Sequence, residues 1–520
     1  MDSLKTYEVL KSVLVFLVVI LLLHWIWTRR KIYNFGLRFP IVFGFPIIGS
    51  LHKLKNVDNL MTAFGEILNA CKSHTVCFWW GLFPVILTAD PDIALNVFRS
   101  QELLNKAKIL YYPVRHVFKG GLIASPATEW VHNRKMINPS FTNKVLVSFF
   151  PIFNKAKDDL IERYSVLVDN KEHKILKSLQ TLSLGITVET TMGKVMYRGE
   201  QVSKGLAPLY SFVMNILSAK ILMSFLKLGF ILELYPKFRK KREQIYQFVN
   251  ELIQAKLKRG INTSNNNSNT ETSDLNNIAS NSAIPSIRKE PKIFIDQAIK
   301  LYQNQQFTWN DIISESITIV SASFETSANA VYSTLVMLAM HPEEQQRLFE
   351  EILDVFPEKD FYVDFDQLNQ LPYLELVINE TLRLAPSVPL IGRHVMKDTQ
   401  IGEHVFPKDS QILISIFHLH RRTDIWGLNA DKFDPERFSI ENFEEKQKNA
   451  YIPFSKGLRN CIGWRYALYT IKVLLCGLIR NYKFETDFKF EDLKYTSNVS
   501  LKYILEPELR LSRRSEDIIK

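Results

Sequence analysis

The sequence predicts a mainly α-helical fold with small β-sheets (α+β), carried behind one N-terminal transmembrane helix. Three observations lead there: helical patterning dominates after residue 90, strand-like runs are few and short, and a long apolar run opens the chain. Of the 520 residues, 46% are hydrophobic and 23% charged, close to globular averages, which excludes a disordered body and a multi-span membrane protein. With 19 glycines and 21 prolines the chain is neither collagen-like nor dominated by linkers. At roughly 150 residues per domain the length predicts about three domains, with one large enzyme domain as the alternative.

The first element is the apolar run 10–27, whose 18 residues fall within the ~17–25 that cross a bilayer as a helix. Trp25 and Trp27 suit the membrane interface, and Arg29, Arg30 and Lys31 follow at once, where a cleavable signal peptide would need small residues. On the other side Lys5 and Lys11 are offset by Asp2 and Glu8, so the positive-inside rule puts the body in the cytosol. Residues 1–31 are therefore read as a membrane anchor. The prolines and glycines of 39–49 make a stiff, non-helical connection, and 32–50 is read as a hinge that orients the body.

Strands are expected at 76–88, 394–405 and 411–416. Residues 260–283 are rich in Asn, Ser and Thr without periodicity, so 260–290 is read as a flexible surface loop. The Asn-x-Ser triplets at Asn262 and Asn266 stay unglycosylated on a cytosolic body. A long apolar helix over 310–341 starts after Thr308 and ends before Pro342, roughly 45 Å at 1.5 Å per residue. Its middle carries Ser321, Ser323, Glu325, Thr326 and Ser327. An acid and an alcohol inside an apolar helix cost free energy unless something polar meets them, although Ser and Thr can also bond back to helix carbonyls. A second helix, 464–480, follows segment 454–463.

Lys and Arg (65) exceed Asp and Glu (54), a net charge of +11. No zinc-finger spacing or aromatic-plus-basic box stands out. The excess is therefore read as surface for a membrane or an acidic partner, and no nucleic acid is expected. Four cysteines, Cys71, Cys77, Cys461 and Cys476, cannot scaffold a chain of this length with disulfides and point to a reducing compartment. His418 and His420 lie two apart with no cysteine pair near, which does not complete a zinc set.

Segment 454–463 reads FSKGLRNCIG. Gly457 and Gly463 allow tight turns that aim N–H groups inward, and the following helix presents its positive end; both favour a thiolate at Cys461. Such a thiolate suits a soft or redox-active metal, haem iron included; a buried core cysteine is the alternative and the commoner role. Cys71, Cys77 and Cys476 are read as structural.

FSKGLRNCIG resembles the haem-binding loop of the cytochrome P-450 family, Phe-x-x-Gly-x-Arg-x-Cys-x-Gly, at every fixed position. Glu380-Thr381-Leu382-Arg383 resembles its Glu-x-x-Arg motif, Pro435-Glu436-Arg437-Phe438 its Pro-Glu-Arg-Phe segment, and Trp130-Val131-His132-Asn133-Arg134 its early Trp-x-x-x-Arg, all in the family's order. The resemblance covers the chain from the anchor onward. It implies the cytochrome P-450 fold, one large haem-enclosing catalytic domain over 51–520 in place of three domains. Residues 373–392 resemble the clan of fatty-acid omega-hydroxylases and many insect enzymes. Where some of those carry a glutamate esterified to haem this chain has Ala322, so a non-covalent haem b is expected.

The resemblance also assigns roles. Cys461 is the axial ligand of the haem iron, in a loop shaped by Phe454, Gly457 and Gly463. Arg134, Arg393 and Arg459 bind the haem propionates, a task suited to the planar guanidinium, and Trp130 adds an indole N–H. Glu380, Arg383 and Arg437 form a buried structural network. Glu325 and Thr326 form the catalytic acid–alcohol relay for the two protons that heterolytic cleavage of dioxygen consumes. Ser323 stands where the family usually has glycine.

No dinucleotide fingerprint is present. The resemblance thus implies electrons from NADPH through a membrane-bound flavoprotein reductase, with cytochrome b5 as a second donor and Lys456, Arg465 and Lys472 as docking cations. It implies the endoplasmic-reticulum membrane, single-pass, with the catalytic domain cytosolic. The apolar connection 218–235 is expected to dip into the bilayer, with a core helix as its rival. With 104–125, 321–326, 387–391 and 495–501 it lines a substrate space. The apolar lining predicts a lipophilic substrate: a fatty acid, hormone or xenobiotic. Two rival functions are a haem-thiolate isomerase or dehydratase that needs no O2, against which the Glu325-Thr326 pair stands, and a haem-containing lipid binder without turnover, hinted at only by Ser323.

Overall fold

The computed structural model describes residues 2–514 apart from 43, 46–47, 54–59, 82, 195–206, 224–227 and 269–291. Its N-terminal helix Asp2–Thr28 contains, from Tyr7 to Thr28, 22 residues of mean hydropathy 2.6, long and apolar enough to cross a membrane. Its described side chains stand exposed on every side, the pattern of a helix with no face reserved for a protein core. The expected hinge opens differently. Residues Arg30–Gly36, free of proline, stay helical, and the extended chain begins only near Phe39-Pro40. Tyr33 stacks on Trp79 at 5.4 Å, and Phe35 and Phe39 meet Phe406 at 4.6 and 6.3 Å, fastening this exit to the body.

The main sheet has four strands: β1 (Thr75–Trp80), β2 (Phe83–Thr88), β3 (Leu390–His394) and β4 (Gln411–Ser415), in the order β1-β2-β4-β3. Only the β2–β4 pair is parallel. The run 76–88 is a hairpin turned at Gly81, whose φ of +64° suits a residue without Cβ. The expected strand 394–405 is divided instead: β3 ends at His394, and Thr399–Ile401 pairs separately with His404–Phe406 across Gly402. Near the C-terminus Tyr495–Asn498 and Ser500–Tyr503 form a tight hairpin.

The central helix, Trp309–Met340, has nearly the bounds its flanking residues predict. Thr308 Oγ1 accepts from the Asp311 N–H (3.2 Å) while the Asp311 carboxylate accepts from the Thr308 N–H (2.8 Å), a capping box that satisfies two end donors. Pro342 stops it at the other end. One apolar core joins the main sheet to helices Trp464–Asn481 and Phe150–Tyr164. A second fills the space between the central helix and Leu176–Met192, Ala207–Leu222 and Pro236–Ser268.

Two further expectations meet the structure here. Helix Pro236–Ser268 runs on through 260–268, the start of the expected loop. Asn and Ser are weak helix formers, but extending an existing helix costs far less than nucleating one. The remainder of that loop, 269–290, lies outside the described residues. The connection 218–235 is the end of Ala207–Leu222 and a 3-10 helix, Leu228–Leu234, with 224–227 outside the described residues.

Candidate functional site

Residues 454–463 fold back on themselves before the helix Trp464–Asn481. The Cys461 N–H donates to the Phe454 carbonyl at 3.0 Å and the Asn460 N–H to that of Gly457 at 3.2 Å. Gly457 takes φ +73°, and a Cβ there would sit 2.0 Å from the Phe98 carbonyl oxygen, so only glycine fits. Gly463 differs from expectation: its backbone is ordinary (φ −95°), and a Cβ would meet nothing closer than Phe141 at 3.8 Å. Cys461 is accessible, yet enough of the protein surrounds it that desolvation is the largest influence on its thiol. Burial pushes the thiol above its ordinary pKa; the Gly463 backbone, Arg134 and Lys106 oppose the shift. The expected thiolate thus needs more than the loop, and a bound metal cation supplies that counter-charge.

Around the cysteine stand four cations. Arg459 is held through the Leu104 carbonyl and the Ser125 carbonyl (2.6 Å) and lies 5.0 Å over the Trp130 ring, while its buried Nε has no partner. Arg134 donates to Asn460 O (2.9 Å) and Oδ1 (3.1 Å), tying its helix Ala127–Ile137 to the loop. Arg393, on β3, is 2% exposed and lies 5.8 Å over Phe98. Lys106, which the sequence reading passed over, bridges to Arg393 through the backbone and lies 4.7 Å over the Tyr111 ring. Burial, then Arg393 and Arg459, push its ammonium well below the usual lysine range.

Among the described residues no carboxylate forms an ion pair with any of these four; Glu315 acts on Arg459 only at longer range. Gathering cations in an enclosed place is costly unless an anion meets them. The orphaned Arg459 Nε, the cation cluster and the accessible thiol therefore fit a ligand that carries both carboxylates and a thiolate-binding metal, as haem does.

The central helix carries the expected acid and alcohol. Ala322 is exposed and Ser323 and Thr326 half-buried, although Ser321, Phe324 and Glu325 beside them are buried, so one side of the helix faces open space in mid-molecule. Ser323 Oγ donates to Ile319 O (2.8 Å) and Thr326 Oγ1 to Ala322 O (2.7 Å), the back-bonding that serine and threonine allow. Glu325 turns elsewhere: its Oε1 lies 3.8 Å from Lys502 Nζ on the C-terminal hairpin, and Lys502 donates to Asn215 Oδ1 at 3.1 Å. Burial raises the Glu325 pKa, with Lys502 opposing.

A second buried acid on this helix, Glu315, accepts from the Leu122 N–H (2.9 Å) and Asn133 Nδ2 (2.8 Å), and burial pushes it up to about 7. It holds the Ala127–Ile137 helix and the chain before it against the central helix. Its signal was an acid at a core-facing position, which the sequence reading passed over; Lys106 and Lys502 carried no local signal.

Glu380, Arg383 and Arg437 come together as expected. Arg383 pairs with both Glu380 oxygens (2.7 and 2.8 Å) and donates to the carbonyls of His420, Ala430 and Lys432. Arg437 Nε lies 3.4 Å from Glu380 Oε1, and the Asp434 N–H donates to the same oxygen at 2.9 Å. His420 Nδ1 lies 3.2 Å from Arg383 O, and its Nε2 accepts from the Ile452 N–H at 2.9 Å, so this ring bolts the network to the chain entering the cysteine loop. His418 Nδ1 is engaged by Ser415 Oγ at 2.7 Å. Of the expected docking cations, Arg465 is exposed and Lys456 half-buried, but Lys472 is buried and paired with Glu375 at 2.9 Å. Lys472 points to the core side of its helix and is no docking group. Cys77 and Cys476 are buried, their thiols pushed up to about 12 by desolvation.

Comparison with known proteins agrees with this geometry. The family model described as Cytochrome P450 matches residues 40–507. "Probable cytochrome P450 313a4" of Drosophila melanogaster is 36% identical over 506 residues, covering 96% of this chain and 98% of that protein. "Probable cytochrome P450 313a3" of the same fly is 33% identical over 95% of this chain and 97% of its own. "Cytochrome P450 4c21" of Blattella germanica is 29% identical over 93% of this chain and 94% of its own.

Proposed function

The chain belongs to the cytochrome P450 family, oxidoreductases of the haem-thiolate monooxygenase kind, and from that premise we propose that it inserts one oxygen atom of O2 into a lipophilic substrate at a non-covalent haem b. The observation that supports this reading is the accessible Cys461 thiol beside a cluster of cations that no described carboxylate pairs. Cys461 would hold the haem iron through its thiolate, in a loop shaped by Phe454 and Gly457. Arg134, Arg393, Arg459 and Lys106 would meet the haem carboxylates, with Trp130 beside Arg459. When bound, the haem supplies thiolate-ligated iron, which activates dioxygen.

The protein's own part is to hold, exclude and protonate. Glu380, Arg383 and Arg437 keep the cysteine loop in register. Thr326 stands with Ala322 and Ser323 on the open side of the central helix, and burial raises the affinity of the Glu325 carboxyl for a proton. Lys502 steadies that carboxyl from the hairpin side, and a water between acid and alcohol completes the relay. The apolar segments 104–125, 387–391 and 495–501 would keep other water out.

In the organisation we propose, 1–31 is a single-pass anchor in the endoplasmic-reticulum membrane, 32–50 connects, and 51–520 is the cytosolic catalytic domain. Electrons come from NADPH through a flavoprotein reductase, with cytochrome b5 as a second donor; exposed Arg465 and half-buried Lys456 offer cations to an acidic partner. The substrate is a fatty acid, hormone or xenobiotic.

A spectrum of the reduced protein with carbon monoxide tests the ligand: a Soret band at the family's red-shifted thiolate position is expected, and a band elsewhere overturns Cys461. NADPH, reductase and a panel of lipophilic compounds then test turnover. No substrate-dependent oxygenated product would overturn the monooxygenase reading in favour of a lipid-binding haem protein.

A further inference from the structure

The C-terminal hairpin and the central helix meet along one line of side chains. Glu325, Asn329 and Ser333 are spaced by four and share a face of the helix. Each meets the strand Ser500–Tyr503. Lys502 Nζ lies 3.8 Å from Glu325 Oε1, Asn329 Nδ2 donates to the Leu501 carbonyl at 3.0 Å, and the Tyr503 hydroxyl lies 2.9 Å from Ser333 Oγ. Thr326 stands about 100° further round the helix. The group that joins it to the hairpin is Ser387, whose Oγ donates to the Thr326 carbonyl at 3.0 Å while its own carbonyl accepts from the Leu501 N–H at 2.9 Å. We propose that Ser387 is a positioning residue for the proton relay, the link through which the hairpin sets where the Thr326 hydroxyl stands. The proposal deepens the reading of Glu325 and Thr326 as acid and alcohol, and rests on it.

The use made of the Ser387 hydroxyl is the first argument. In 387–391, a stretch expected to line the substrate space, Ser387 carries the only polar side chain, and its proton goes to the helix instead of to open space. A carbonyl has two lone pairs, so Thr326 can accept this bond without giving up a helical one. A bond from outside draws a helix carbonyl away from the axis, and the peptide that carries it follows. Thr326 Oγ1 donates to Ala322 O at 2.7 Å, so this residue is gripped at its side chain from one end and at its carbonyl from the other.

Stiffness is the second. Pro386 and Pro389 bracket Ser387 and Val388, fixing φ at both ends and keeping Val388 out of helical geometry. The Phe417 N–H fastens the Pro389 carbonyl at 3.1 Å. Ser387 is thus presented by chain that cannot give way, which is what placing another residue requires.

The hairpin supplies the third. It turns at Val499, a β-branched residue at φ +75°, a costly backbone that persists only where neighbouring contacts over-determine it. The bonds to Asn329, Ser333 and Ser387 are such contacts. The hairpin is therefore held in one place against its local preference, and Ser387 passes that place on to Thr326.

The test uses the full chain loaded with haem and supplied with NADPH, reductase and air, without substrate. Dioxygen that receives all its protons leaves as two waters, consuming two NADPH and two protons; dioxygen released early leaves as hydrogen peroxide, consuming one of each. Peroxide formed per NADPH therefore reads proton placement. Thr326→Ala is expected to raise it by about twofold or more, Ser387→Ala by a similar factor, and the double variant no further. Amide hydrogen exchange over 322–330, followed in the same proteins, is expected to quicken roughly fivefold in Ser387→Ala. Unchanged exchange there would mean that the Ser387 bond holds nothing, and overturns the proposal. Faster exchange with an unchanged peroxide ratio leaves Ser387 a brace and overturns it equally, provided that Thr326→Ala raises the ratio. Factors that multiply in the double variant show two independent effects and also overturn it. An unchanged ratio in Thr326→Ala overturns the relay reading itself, and the proposal with it.

Discussion

Glu315 shows how one residue sets a pH dependence. Its folded pKa is raised from 4.5 to about 7, so between those values the native state holds a proton that the unfolded chain has released. Stability from this site therefore falls as pH rises through that window, by up to about 3 kcal/mol. Glu315→Gln, with Asn133 turning its amide oxygen toward the new NH2, is expected to flatten the slope between pH 5 and 8. Denaturant midpoints of both proteins across that range check it. Lys502 makes a second case. Lys502→Met removes the cation beside Glu325, and more peroxide per NADPH and a larger solvent isotope effect are expected, with Lys502→Arg restoring both. Unchanged peroxide yield would mean that Lys502 only braces the hairpin. Such partners are hard to foresee: Cys461 and Arg459 stand in a patterned loop, whereas Lys106 acquires its charged neighbours Arg393 and Arg459, and Lys502 its neighbour Glu325, from distant parts of the chain.

Elements were more legible than contacts. Thr308, Asp311 and Pro342 mark the central helix in the sequence because capping and stopping are local chemistry. The cysteine loop is legible for the same reason, down to the glycine its turn demands. Gly457→Ala would force a Cβ against the Phe98 carbonyl, and loss of the thiolate spectrum with normal far-UV circular dichroism is expected. Where local chemistry is silent the reading strayed. The rotation of helix Trp464–Asn481 decides that Lys472 faces Glu375, and only packing sets that rotation. The Glu380–Arg383 pair is completely buried, so Arg383→Leu deprives a buried carboxylate of its two-oxygen partner and is expected to cost about 3–5 kcal/mol. Thermal unfolding measures this, and Glu380→Leu/Arg383→Leu is expected to recover part of the loss.

At the scale of the whole molecule, a net charge of +11 with an exposed Arg465 beside the cysteine loop predicts electrostatically steered association with an acidic redox partner. The association rate is expected to fall with ionic strength in stopped-flow measurements and to drop in Arg465→Glu. Lys472→Glu is expected to lower the unfolding temperature instead. The long-range tethers of the cysteine loop also govern how the protein is made. Arg134 reaches Asn460 over 326 positions and Arg459 reaches Leu104 over 355. At roughly 5–20 residues per second a ribosome needs tens of seconds to travel that far. Through that interval the early cations wait without the loop that completes their pocket, so the prosthetic group is expected to be captured only after that loop has emerged and closed on it.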